Sequence, residues 1–238
     1  MSEYPKSFEG LEKTIGYKFK NEKYLVEALT HSSYAHEEKL RHVERRCNER
    51  LEFLGDSVLS ITASEYLFSN YTDVDEGELT RMRAEIVCER ALAGFANEIS
   101  LGDYLYLGVG EEKNHGRQSK SILSDAFEAL LAAIYLDAGD ERNERIKKFL
   151  LPFLKAELER LKSSGQGNDS KTLLQQFIQQ DSSAKLEYVT VSERGPDHAK
   201  IFEVEARMGN NVIGRGEGRT KREAEQNAAR EALTLFGR

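Results

Sequence analysis

The chain has 238 residues, about two fifths of them apolar and 32% charged, with a formal net charge of −7. That length gives one large domain or two smaller ones with real cores. No apolar run approaches the ~20 residues of a membrane span, and the polar stretch from Met1 to Lys13 has no secretory apolar region, so no membrane partner is expected. The two cysteines, Cys47 and Cys88, are isolated, which excludes a disulfide framework and suggests a reducing, cytoplasmic compartment. The five histidines make no HxxxH-type pair, which argues against a zinc site.

In chain order, most of Ser7 to Lys162 reads as helix. Asn21 is placed to cap a helix carrying Tyr24, Leu25, Ala28 and Leu29. From Asn48 to Tyr66, helical spacing puts Leu51, Leu54, Val58 and Ile61 on one face. After a turn around Asp73 to Gly77, the pattern predicts helix from Glu76 to Ser100. Leu101-Gly102 and Gly108 to Gly110 break it, and Lys113 to Lys120 reads as a loop. Helix resumes from Ser121 to Tyr135, ends near Gly139 and restarts at Glu141 with Ile146, Phe149, Leu150, Phe153 and Leu154. The glycine- and serine-rich run Lys162 to Asn168 then reads as a flexible linker.

The last seventy or so residues have a different grammar. A helix from Lys171 to Gln180 precedes three extended runs, Leu186 to Ser192, Lys200 to Met208 and Asn211 to Gly216. A final helix, Lys221 to Phe236, has Ala224, Ala228, Ala229, Ala232 and Leu233 as its buried face. The order α-β-β-β-α is an α+β module. From Asn168 to Arg238 there are eleven basic and eleven acidic residues, so the preceding part holds the whole net charge of −7. An acidic domain that works on a polyanion needs metal ions and a basic helper surface.

The chemistry concentrates in two acidic pairs, Glu52 with Asp56 and Asp125 with Glu128. Residues three or four apart share one helix face. Each pair sits among apolar neighbours, where carboxylates are costly without a cation and repel one another. A solvated helix face is the usual meaning of such spacing. Here Leu51, Phe53 and Leu54 surround Glu52, and Gly55 costs its helix about 1 kcal/mol relative to alanine, which points to a close contact. A hard divalent cation such as Mg2+, taking oxygen ligands, answers both the burial and the repulsion.

In the small module, Thr220 is a candidate N-cap with Glu223 as its capping-box partner. Lys221 and Arg222 stand at the positive helix end, a natural phosphate site. Gln175, Gln176 and Gln179 line a polar helix face, and Gly195-Pro196-Asp197-His198 is a turn with His198 at its tip. A helix, a loop and a helix N-terminus on one face suit A-form RNA read by shape.

The run Asn48-Glu49-Arg50-Leu51-Glu52-Phe53-Leu54-Gly55-Asp56 resembles the signature of the ribonuclease III family. Leu29 to Ala35, Asp75 to Leu79 and Ser121 to Leu130 fall where that family has matching blocks. The tail resembles a double-stranded-RNA-binding domain, through Asp169 to Thr172, Gly195 to His198 and Thr220 to Gln226. The implied architecture is an all-α nuclease domain over 7–139 with a helical extension to about 162, a linker over 163–168, and an α+β binding domain over 169–238.

The resemblance implies that Glu52, Asp56, Asp125 and Glu128 bind metal, with Asp56 and Glu128 catalytic. It implies accessory roles for Glu49 and Glu76, and packing of Phe53 into the partner subunit of a homodimer formed through the nuclease domain. It further implies RNA contacts from Thr172, Gln175, Gln176, Gln179, His198, Thr220, Lys221 and Arg222. The cofactor would be Mg2+, with Mn2+ able to replace it, and the substrate double-stranded RNA. The products would carry 5′ phosphates, 3′ hydroxyls and short 3′ overhangs, and ribosomal RNA precursors and other structured transcripts would be processed. Lys120, where glutamate or proline is frequent, and Lys185 to Tyr188, where proline often precedes the tyrosine, depart from the family pattern without touching the four acids. A non-cleaving RNA-binding protein would be marked by a missing acid, and a small-molecule phosphohydrolase would have no use for the tail.

Overall fold

The computed structural model describes residues 7–164, 170–181, 185–196 and 200–236. The chain divides into two compact units, Met1–Arg160 and Leu161–Arg238. The first is helical. Helix α1 (Phe8–Ile15), capped by Ser7 and ended by Gly16 in the left-handed region, is followed by α2 (Glu22–Ala28), capped by the Asn21 side chain as expected. The turn between them is held by buried Asp137, which accepts from the Tyr17 hydroxyl (2.7 Å) and from the backbone N–H groups of Lys20 and Asn21 (2.8 Å each). Burial and this carboxylate push the Tyr17 hydroxyl well above its ordinary range.

Helix α3 (Ser32–Leu40) leads into the long α4 (Glu49–Asn70). The inner face of α4 is Leu51, Gly55, Val58, Leu59, Thr62, Ala63 and Leu67. The expected face is therefore rotated: Leu54 is half-buried and Ile61 is 66% exposed. The helix expected over Glu76 to Ser100 is two, α5 (Glu76–Ile86) and α6 (Glu89–Glu98), with Cys88 extended between them. The break lets α5 pack on α4 while α6 turns Ala91, Leu92 and Phe95 inward toward the next long helix.

The break expected at Gly108 to Gly110 is where the short α7 (Val109–Lys113) begins, and the loop expected over Lys113 to Lys120 contains a 3-10 turn at Gly116–Gln118. Helix α8 (Lys120–Asp137) is the centre of the unit, packed against α2, α4 and α6. Its Ile122, Leu123, Ala126, Phe127 and the run Ala129 to Ile134 are all buried. A helix buried on most of its surface reads as apolar all round, as this one does. Helix α9 (Arg142–Ser164) closes the core through an aromatic cluster, with Phe153 5.3 Å from Phe95 and 5.8 Å from Phe127. It runs through Ser164, so the first two residues of the expected linker are helical; residues 165–168 lie outside the described residues.

The second unit has the expected order: α10 (Ser170–Asp181), β1 (Leu186–Arg194), β2 (Ile201–Met208), β3 (Asn211–Gly218) and α11 (Lys221–Leu235). The sheet is antiparallel in the order β1-β2-β3, with Thr190 opposite Val204 and Val204 opposite Gly216. The core joins Leu174, Ile178, Val204 and Ala206 to Ala224, Ala228, Ala229 and Ala232. Gly214, Gly216 and Gly218 let α11 lie on β3 so closely that a Cβ at any of them would overlap its backbone.

Candidate active site and nucleic-acid contacts

The acids are presented by the crossing of α4 and α8. Gly55 makes the crossing possible, because a Cβ there would overlap the backbone carbonyl of Glu128. The start of α4 is fixed from outside: the Asn48 N–H donates to the Thr30 carbonyl at 2.8 Å. The preceding turn is tied down by buried Glu38, which accepts from Arg41 and Arg45, each at 3.1 Å.

Glu52 from α4 and Asp125 and Glu128 from α8 come together, with one carboxylate oxygen of each within 4.8 Å of the others. All three are half-buried. Burial raises the Glu128 carboxyl to about 8, helped by Asp56, Glu52 and Asp125 in turn. Burial, then Asp125 and Glu49, raises Glu52. Asp125 is also raised, by burial and by Glu89, while Ser124 and His31 act in the opposite sense. Convergent, half-buried hard oxygens that repel one another fit a divalent cation such as Mg2+ or Mn2+.

The other expected residues fall in different places. Asp56 is exposed one turn along α4, outside the group of three, and its charge reaches Glu128. Glu49 is exposed at the first turn of α4, and its charge reaches Glu52. Glu76 is exposed at the first turn of α5, where it accepts from Thr80 at 3.1 Å. Phe53 is 79% exposed, whereas Leu51 beside it belongs to the core. Farther along α4, a groove of about 310 Å3 is lined by Leu54, Val58, Ile61, Tyr135 and Ile146. Two neighbours of the cluster had no role assigned from sequence. His31 carried a signal, as a polar residue directly before a helix, whereas Glu89 sits in an ordinary helix start.

In the second unit, Thr220 caps α11 by accepting from the Glu223 N–H at 3.1 Å, and Glu223 accepts from the Arg219 N–H at 2.7 Å. The capping box thus reaches one residue further back than expected. Arg222 is exposed, and Lys221 lies 3.0 Å from Glu193 and over the Phe202 ring. The Lys171 N–H donates to Gln226 at 3.3 Å, which brings the start of α10 beside α11. Gln175 is exposed on α10. Thr172, Gln176 and Gln179 lie in the same helix, but their side chains, and His198 altogether, fall outside the described residues.

Residues 21–154 match the family described as Ribonuclease-III-like, and residues 170–235 match the double-stranded RNA binding motif. The chain is 48% identical to Ribonuclease 3 of Caldanaerobacter subterraneus subsp. tengcongensis over 95% of this chain and 97% of that protein. It is 44% identical to Ribonuclease 3 of Bacillus cereus over 98% and 92% of the two chains. A solved nuclease domain of ribonuclease III from Campylobacter jejuni, studied for flexibility in the region involved in dimer formation, covers 63% of this chain and is itself covered over 98%, with a TM-score of 0.57 and 40% identity. No described helix is long and apolar enough to cross a membrane. On these matches, which span nearly the whole chain, it belongs to the ribonuclease III family, as a nuclease domain joined to a double-stranded-RNA-binding motif.

Proposed function

We propose that the protein cuts both strands of double-stranded RNA by divalent-metal-dependent phosphodiester hydrolysis. The observation that carries this is the convergence of Glu52, Asp125 and Glu128 from two helices. Mg2+ is the proposed cofactor, with Mn2+ as a substitute. Divalent ions held there would activate water, neutralise charge on the phosphate and stabilise the leaving 3′ oxygen. Glu52, Asp125 and Glu128 would supply the convergent ligands, with Asp56, one turn along α4, as a fourth acid whose charge reaches Glu128. Without a cation, the Glu128 carboxyl keeps its proton at neutral pH. Glu49 and Glu76 are proposed as acids that shape the approach to the cluster.

Phe53 and Ile61, both exposed on α4, support a homodimer through the nuclease domain. An isologous pair suits a duplex with antiparallel strands, one site to each strand. Products would have 5′ phosphates, 3′ hydroxyls and short 3′ overhangs. The binding motif supports contacts from Thr172, Gln175, Gln176, Gln179, His198, Thr220, Lys221 and Arg222 to the duplex. Substrates would be ribosomal RNA precursors and other structured transcripts, in the cytoplasm. The test is incubation of the full chain with a long RNA duplex and Mg2+, followed by sequencing of the product ends. Intact RNA, or ends of another chemistry, would refute the reading.

A further inference from the structure

The turn that leads into α4 carries a local excess of positive charge. From Glu38 to Arg50 there are five Lys and Arg residues and three acids, in the part of the chain that holds the whole net charge of −7. The turn is fixed at both ends. At its start the N–H groups of Arg41 and Val43 donate to the Glu38 carbonyl, each at 2.9 Å, and the His42 N–H donates to the Lys39 carbonyl at 3.0 Å. At its end the Asn48 N–H is held by the Thr30 carbonyl at 2.8 Å, and α4 begins at the next residue.

Glu38 is the anchor of this turn. Its Oε1 accepts from Arg41 Nη1 and its Oε2 from Arg45 Nε, each at 3.1 Å. Arg45 and Arg41 hold the carboxyl below its ordinary range, against the effect of burial. The Glu38 side chain is 10% exposed, whereas those of Arg41 and Arg45 are 66% and 42% exposed, so the carboxylate sits beneath two guanidinium groups that face water. The Arg45 guanidinium also lies over the Tyr34 ring, 5.9 Å from its centre. Each guanidinium commits one nitrogen to Glu38. Nε and Nη2 of Arg41 and both Nη atoms of Arg45 have no hydrogen-bond partner among the described residues.

We propose that Arg41 and Arg45, held in place by Glu38, form a phosphate site on the nuclease unit that takes the backbone of the RNA duplex. The inference rests on the proposed reading of the chain as a nuclease that cuts duplex RNA, and it adds a contact outside the binding motif. Guanidinium groups recognise phosphate through forked N–H donors. A fork already held in place loses less freedom when the phosphate arrives. One carboxylate between two guanidinium groups leaves a net positive charge, so the anchor does not neutralise the pair. By the reach of the chain, the Cα atoms of Arg45 and Glu52 lie within about 20 Å of each other. The ~16 bp of duplex that such a binding motif spans is far longer than that.

The competing role is a tie that only fastens the turn, which would change stability and leave RNA binding alone. The test is Arg41→Ala with Arg45→Ala in the full chain, binding a long RNA duplex across a salt series without divalent metal. The log–log salt dependence should become shallower by roughly 1.4–1.8, from 0.7–0.9 for each of two lost contacts, with DNA values as the guide. Lys13→Ala with Lys18→Ala, which removes the same charge from two exposed residues elsewhere on the unit, should leave the slope unchanged. The double arginine variant leaves Glu38 buried and unpaired, which is destabilising. Adding Glu38→Met removes that charge, and the triple variant should fold and show a shallower slope as well. An unchanged slope in either folded variant, or an equal change in the lysine control, overturns the inference and leaves the cutting reading standing. A wild-type chain that neither binds nor cuts the duplex overturns both. Inorganic phosphate alone is the last arm: if it binds the wild type and not the double variant while the slope is unchanged, the pair serves a free anion and the RNA assignment falls.

Discussion

Gly55 on α4 lies against the backbone carbonyl of Glu128 on α8, with no room between them for a Cβ. The contact sets the separation of the two helices at the level where Glu52 meets Asp125 and Glu128. Gly55→Ala must push the helices apart. Overpacking of this kind costs about 1–3 kcal/mol, and the same displacement spreads the three carboxylates. The variant should unfold at lower denaturant and lose cutting more than its lost stability explains. Measuring both on the same preparation checks this, and wild-type cutting with an unchanged midpoint would refute it.

Glu128→Gln keeps the shape of the side chain and removes a charged oxygen ligand. Cutting should be abolished at saturating Mg2+, with duplex binding nearly intact. In the cation-free protein the same substitution should stabilise the fold. The folded Glu128 carboxyl keeps its proton up to about pH 8, while its ordinary value is 4.5. Across that interval the folded state binds more protons than the unfolded one, so wild-type stability falls as pH rises. The melting temperature of Glu128→Gln should exceed that of wild type by a margin that widens with pH across this window and narrows when Mg2+ is added. A constant margin would show that Glu128 is not proton-loaded in the folded protein.

Much of this was legible in the sequence, for identifiable reasons. Gly55 in the middle of an apolar helix announced a close approach, and the approach is to the second acidic motif itself. The N-caps at Asn21 and Thr220 could be read because capping depends on residues a few positions apart. The rotated face of α4 could not, since Ile61 is as apolar as the residues that bury and only the neighbouring helices decide which face turns inward. The break at Cys88 was hidden because no glycine or proline lies between Glu78 and Ala93, and what separates the two helices is the packing of α5 on α4 and of α6 on α8. The tie from His31 through Ser33 to Gly108 was hidden, because these residues meet only in space.

Phe53 is 79% exposed beside a cluster that needs Glu52 on the same helix in place. If a second copy covers it, Phe53→Asp should convert the full chain to monomers, because burying an unpaired charge opposes association. Sedimentation at micromolar concentration should give wild type at twice the mass of one chain and the variant at one. A variant that sediments as wild type would place any self-association elsewhere. Each site would be intact in the monomer, so Mn2+ uptake should be unaffected while paired cutting of both strands is lost.

Lys221 and Arg222 stand at the capped start of α11, where helix polarity and side-chain charge both favour an anion. Phosphates carry affinity without sequence information. Replacing both residues by alanine should therefore weaken binding to all RNA duplexes alike. Fewer counterions would be released, so the log–log salt dependence should become shallower by roughly 0.7–0.9 per lost contact, with DNA values as the guide. Lys221 is drawn 3.0 Å from Glu193 in the free protein, so it must leave that carboxylate to meet RNA. Glu193→Gln should then tighten binding, by removing the competing partner. The maximal cutting rate at saturating RNA should change little in either variant, because the acids belong to the other unit. Filter binding across a salt series measures all of this. An unchanged slope in the double variant, or a loss confined to particular sequences, would show that this helix start does not hold phosphate.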